Sequence, residues 1–177
     1  ISEKNSKNRL LPTGAYKITS QLGTIYSIMA LLTIATSIEI YVPYFAQIID
    51  GLSPLESGYL TVLIAIGWTL SSILFSGIKG NRVNKIILFG AFVMLIGMLG
   101  LCYFSIATLH TFTMKLIIEC TFLLLIGIGI GMGWPHLLTK VFSLSPKGEE
   151  DLTSSSVTTV QLIATSFGAA IAGLVTN

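Results

Sequence analysis

An acid set among apolar residues, Glu39 in "IATSIEIYVPYF", could bind a proton or a cationic group, because a low-dielectric surrounding penalises its charged form. Few other side chains offer chemistry. His110 and His136 fall near opposite ends of the apolar stretches with no third ligand in view, so no metal site is expected and each reads as an interfacial polar residue. Cys102 and Cys120 have no paired spacing in a loop and read as buried free thiols. No histidine stands with a serine or cysteine and an acid as a hydrolytic triad would require, and H-E-x-x-H is absent, so neither an enzyme nor a cofactor is expected.

The run "GIGIGMGWP" could be mistaken for a phosphate loop. Gly127, Gly129, Gly131 and Gly133 alternate, no lysine follows, and neither G-x-G-x-x-G nor G-x-x-x-x-G-K-[ST] is matched. On a helix, Gly127 pairs with Gly131 and Gly129 with Gly133 at a spacing of four. This is the small-xxx-small arrangement that lets helices approach closely in lipid. Leucine at Gly131 should then block that approach, and alanine should be mild. Pro135 and Pro43 each free a backbone carbonyl and permit a kink, which makes Pro135, beside the glycines, the better hinge.

The elements that carry these residues follow from composition. Apolar residues make up 53% of the chain and charged ones 10%, far below the quarter or so of a soluble domain. The chain is expected to be an all-α integral membrane protein, with lipid bilayer as its surroundings and no nucleic-acid partner. Five spans fit, at about 18–48, 57–78, 86–109, 112–139 and 152–177, each of the length that crosses a bilayer as a helix. Short polar connections separate them: "DGLSPLES", "KGNRVNK", "HTF" and "SPKGEED".

Basic residues set the orientation. Lys4, Lys7, Arg9 and Lys17 precede the first span, Lys79, Arg82 and Lys85 follow the second, and Lys140 and Lys147 follow the fourth, while Lys115 alone lies on the other side. The positive-inside rule then places the N-terminus in the cytoplasm and Asp50, Glu56 and His110 outside. Residues 1–17 read as a cytoplasmic basic tail or interdomain linker, disordered and topogenic. Beginning at Ile1 and stopping at Asn177, the chain reads as a piece of a longer membrane protein.

Two polar stripes remain. Ser154, Thr158, Gln161 and Thr165 recur along one face of the last span, continued by Gly168 and Ala172, and should face helices or water. Thr61, Ala65, Thr69, Ser72 and Ser76 do the same in the second span, where helix packing is the expected use. Trp68, away from the interfaces where tryptophan collects, should fill a helix junction or cover a cavity.

Taken in order, three stretches resemble the C-terminal half of a major facilitator superfamily transporter, most closely its drug:proton antiporter branch. They are "YVPYFAQIIDGLSPLESGYLTVLIAIGWTLSSILFSG", then "GIKGNRVNKI", and finally "LLIGIGIGMGWPHLLTKVFSLSPKGEEDLTSSSV". The second is similar to the cytoplasmic motif G-x-L-A-D-R-x-G-R-K, with Gly77, Arg82 and Lys85 matching, Asn81 at its aspartate and Asn84 at its second glycine. Leu123 occupies the position of the proton-site arginine that the family carries in its other half.

The resemblance implies residues 18–177 as five helices of an incomplete six-helix half, truncated before its last helix, with the N-terminal half of the same transporter as a missing partner. It implies secondary active transport of a small-molecule substrate by alternating access: export of a drug or metabolite coupled to protons, or uptake of a sugar or metabolite. A channel or structural membrane subunit is the reading of another class, and it lacks rings of like charge or a filter motif. In the transporter scheme Glu39 binds a coupling proton or a substrate cation. Trp68, Thr158, Gln161 and Thr165 line a cavity or gate, the glycines and prolines pack and hinge, and the setting is a bacterial inner membrane.

Overall fold

The computed structural model describes residues 9–106 and 111–176. Lys4, Lys7, His110 and Asn177 lie outside the described residues. Every described element is helical: α1 (Gln21–Thr36), a 3-10 turn (Ser37–Ile40), α2 (Val42–Asp50), α3 (Pro54–Phe75), α4 (Arg82–Ile106), α5 (Phe112–Ser143) and α6 (Glu150–Thr176). Five stretches, Gln21–Asp50, Pro54–Phe75, Arg82–Ser105, Phe112–Ser143 and Glu150–Leu174, are long and apolar enough to cross a membrane. α5 has 32 residues, roughly 48 Å at 1.5 Å per residue, longer than the ~30 Å hydrocarbon core.

Local sequence accounts for the breaks. The first span is not one kinked helix. Its 3-10 turn ends α1, and Pro43 then stands in the first turn of α2, where its missing N–H would have had no partner anyway. α2 stops at Gly51, whose φ of 67° is the left-handed conformation that glycine adopts without strain. Ser53 then caps α3: its side chain accepts from the Glu56 backbone N–H, the Glu56 carboxylate accepts from the Ser53 backbone, and Pro54 follows at the helix start. "GLSPLE" is thus a helix stop followed at once by a helix start. Gly80, with φ 69°, turns the chain between α3 and α4.

The chain divides into two compact units, Ile1–Ser37 with Leu137–Asn177, and Ile38–His136. In the first, α1 packs on α6. Leu22, Tyr26 and Met29 are buried from α1, and Thr153, Ser156, Val157 and Ala164 from α6. The Tyr26 hydroxyl hydrogen-bonds with Ser156 and donates to the Thr153 carbonyl at 3.3 Å. Gly168 continues that face, where a Cβ would collide with Ser37. The described part of the N-terminal segment is ordered, contrary to a disordered tail. Pro12 and Ala15 are buried, and Thr13 binds Glu149 in the α5–α6 connection through its backbone N–H and its hydroxyl, each at 2.6 Å. Arg9 ion-pairs with the same carboxylate at 3.7 Å.

In the second unit α2 packs on α3. Ser57, Leu60, Ile64, Gly67 and Ser71 form the buried face of α3, and Leu123, Ile126 and Ile130 are almost wholly buried in α5.

Candidate functional site

The glycines of α5 form two faces. A Cβ at Gly127 would overlap the Ile64 carbonyl, and one at Gly131 would overlap the Trp68 carbonyl and the Ser71 hydroxyl, so both meet α3. A Cβ at Gly129 would stand 2.5 Å from the Met94 nitrogen and 2.6 Å from the Gly90 carbonyl, so this face meets α4. Gly133 is looser, with nothing closer than the Ile87 Cα at 3.7 Å. The helix axes approach until backbone touches backbone, as small residues permit in lipid. The opposing glycines were not expected from the sequence. A Cβ at Gly67 would lie 2.5 Å from the Leu124 carbonyl, and one at Gly90 would lie 2.5 Å from the Gly129 carbonyl. A Cβ at Gly97, which would lie 2.9 Å from the Ile126 side chain, marks the same seam further along α4. The seven-residue spacing of Gly90 and Gly97 was the available signal. The expectation that alanine at Gly131 is mild is corrected: the obstacle is the Trp68 backbone, which cannot turn away.

Pro135 lies inside α5, and the helix continues through it to Ser143. Having no N–H, it leaves the carbonyl four residues back, that of Gly131, without its helical partner. The Ser72 hydroxyl of α3 donates to that carbonyl at 3.1 Å. This is one of the ways by which membrane helices accommodate proline. His136 is buried and donates from Nε2 to the Phe75 carbonyl at 2.9 Å, a second bond to a carbonyl at the C-terminal end of α3 that also accepts from the Ile78 N–H at 3.1 Å. Trp68 meets Trp134 edge to face, ring centres 5.8 Å apart, so it fills the α3–α5 junction. Glycine, proline, serine, histidine and the tryptophan pair therefore join α3 to α5 over two turns.

A second cluster lies outside the residues expected from the sequence. Lys115 Nζ lies 2.6 Å from Asp50 Oδ1 and 3.7 Å from Glu119 Oε1. The three side chains are 14%, 7% and 5% exposed respectively for lysine, aspartate and the Glu119 carboxylate. Lysine and glutamate one helical turn apart, on the same side of the bilayer as Asp50, were the signal.

Other expected site residues are not gathered. Glu39 is exposed on the 3-10 turn, so it does not face the interior of the described helices. Thr158 is exposed and Gln161 and Thr165 are half-buried, because the face that α6 buries is Thr153, Ser156, Val157, Ala164 and Gly168, which shares Gly168 with the stripe and is otherwise displaced from it. In α3 likewise Ala65, Thr69 and Ser76 are exposed, and of that stripe Ser72 alone bonds across to another helix. Gly77, Arg82 and Lys85 are exposed, and among the described residues no acid pairs with Arg82 or Lys85. Cys102 is exposed and Cys120 half-buried, so the expected burial of both thiols does not hold. No described cluster of histidine, cysteine and acids could hold a metal.

Five apolar stretches of membrane-spanning length, with glycine seams that join α5 to α3 and α4, define an all-α integral membrane protein. The family model of the Major Facilitator Superfamily matches residues 2–169, and the chain belongs to that superfamily. It is 31% identical, over 86% of its length, to a probable multidrug-efflux transporter of Mycobacterium tuberculosis, and 30% identical, over 100% of its length, to the multidrug transporter protein MdtP of Bacillus subtilis. It spans 32% of the length of each of these relatives. No solved structure matches.

Proposed function

We propose that this chain is part of a secondary active transporter that exports small organic molecules in exchange for protons by alternating access. The carrying observation is its similarity along nearly the whole chain to two relatives named as multidrug transporters. The seam of α5 against α3 and α4 supports it, because a helix held by backbone contact and relieved at one proline can move as a rigid rod with a single bending point. Under this reading the connections that carry Lys79, Arg82, Lys85 and Lys147 face the cytoplasm of a bacterium, and the 51–53 turn faces outward. Glu39, exposed and acidic within the first span, meets a substrate cation or a coupling proton supplied from beyond these helices.

The test uses inside-out vesicles from cells that make the full protein and lack their own efflux pumps. An imposed inward-acid gradient should drive uptake of a cationic dye, and an uncoupler should abolish it. Uptake that ignores the gradient removes proton coupling, and dye movement only in right-side-out vesicles reverses the direction.

A further inference from the structure

The Asp50, Lys115 and Glu119 cluster holds two carboxylates and one ammonium. Fully ionised it carries one uncompensated negative charge, and its members are largely withdrawn from solvent. A buried charge without a partner is strongly destabilising, so the cluster has reason to take up one positive charge. The geometry shows where. Lys115 donates to Asp50 at 2.6 Å, which satisfies the aspartate. The ammonium stands 3.7 Å from Glu119 Oε1, beyond hydrogen-bond reach, and that oxygen is buried with no hydrogen-bond partner. Among the described residues the neighbourhood adds no other charge: α4 presents the Ser105 hydroxyl, α5 itself presents the Cys120 thiol beside the acid, and Glu56 of α3 is occupied in its own capping box. Glu119 stands seven residues into α5, about 10 Å from its start, and Asp50 ends α2 at the 51–53 turn. The cluster therefore lies within reach of one aqueous surface.

We propose that this cluster is a proton-binding site, with Glu119 as the group that accepts the proton. The step is a simple one: a proton from the adjoining water adds to Oε1, Glu119 passes from carboxylate to carboxylic acid, and the cluster passes from one negative charge to none. Lys115 is shared between two acids in the unloaded state and committed to Asp50 in the loaded one. Proton occupancy thus sets how firmly the start of α5 is held to the end of α2. As a coupling site this rests on the transporter reading above; as a proton site it stands alone.

The experiment is an infrared titration of the full protein in lipid, following the carbonyl stretch of protonated carboxylic acids over roughly pH 5 to 9. Wild type should gain a carboxylic acid band as the pH falls, and Glu119→Gln should lose that component while Glu39→Gln keeps it. Asp50→Asn should lose it as well, because Lys115 and Glu119 then form a neutral pair that has no need of a proton. Asp50 is bound to Lys115 at 2.6 Å, so this arm reads the charge balance of the cluster. The proposal is overturned if the band persists in Glu119→Gln, or if Asp50→Asn leaves it unmoved. Failure of the transport reading is seen separately: a titration that maps to Glu119 in a protein whose dye transport ignores the proton gradient keeps the site and discards antiport. Proton-driven transport at full strength in Glu119→Gln, with no band assigned to Glu119, keeps antiport and discards the site.

Discussion

Alanine at Gly131 and alanine at Gly133 make a paired test of the α5 seam. The added methyl at 131 would overlap the Trp68 carbonyl, and α3 and α5 must part by about 1 Å to admit it, an overpacking that costs about 1–3 kcal/mol. Parting them also stretches the Ser72 to Gly131 hydrogen bond, now 3.1 Å, worth a further ~0.6–1 kcal/mol in a membrane protein. Against this stands the better helix propensity of alanine, about 0.8–1 kcal/mol, which leaves a net loss of about 1–3 kcal/mol. At 133 the methyl meets the Ile87 Cα at 3.7 Å, an ordinary contact, so the propensity term acts nearly alone and the variant should equal or exceed wild type. Denaturant titration of the full protein in mixed micelles, read by circular dichroism, measures both. The reasoning fails if the two alanine variants agree within about 0.5 kcal/mol, the ordinary scatter of changes that touch nothing.

Three further outcomes are expected. Ser72→Ala should cost about 0.6–1 kcal/mol in the same titration by leaving the Gly131 carbonyl unmet beside Pro135, and should lose most of that effect in a Pro135→Ala background, where the backbone supplies the bond. The Glu149 carboxyl is held below the usual carboxylate range by the Thr13 hydroxyl, then the Thr13 N–H, then Arg9; a lowered folded value means that docking of the N-terminal segment is at full strength above the ordinary carboxylate pKa and is lost as pH falls through the lowered one. A spin label at the exposed Lys17 should therefore stay restrained at neutral pH and loosen only below the ordinary carboxylate range, whereas Glu149→Gln should be loose throughout. Cysteines at Leu55, 68% exposed, and at the exposed Lys147, in a protein without Cys102 and Cys120, should label with an impermeant reagent in intact cells at the first position and only after lysis at the second; the reverse pattern inverts the topology.

The helices, their connections and the packing role of the glycines were legible because each depends on neighbours in sequence. Apolar run length gives a span, Gly51 followed by Ser53 and Pro54 gives a stop and a start, and glycines four apart give a face. What was not legible depends on rotation about a helix axis. Thr158 and Ser156 differ by about half a turn, and nothing in a stripe of small polar residues says which side meets α1; Tyr26 decides it by placing its hydroxyl on Ser156. The severity of Gly131 was hidden for the same reason, since the obstacle belongs to the backbone of α3.

The two acids divide along the same line. Glu39 was conspicuous because depth alone marks it, whereas Glu119 reads as a salt-bridged neighbour of Lys115 until Asp50 is found competing for the same ammonium. Glu39 has no such competitor: it is exposed and bonded to no described residue, so its carboxylate stabilises nothing within these helices. Glu39→Gln should then fold as wild type to within about 0.5 kcal/mol. It should still lose affinity for cationic substrates, because a neutral amide cannot pair with a cation. Glu119→Gln should instead spare that affinity and remove the dependence on the proton gradient. Were the proton to bind at Glu39, the two phenotypes would exchange, and the charge count at Lys115 would carry no consequence for transport.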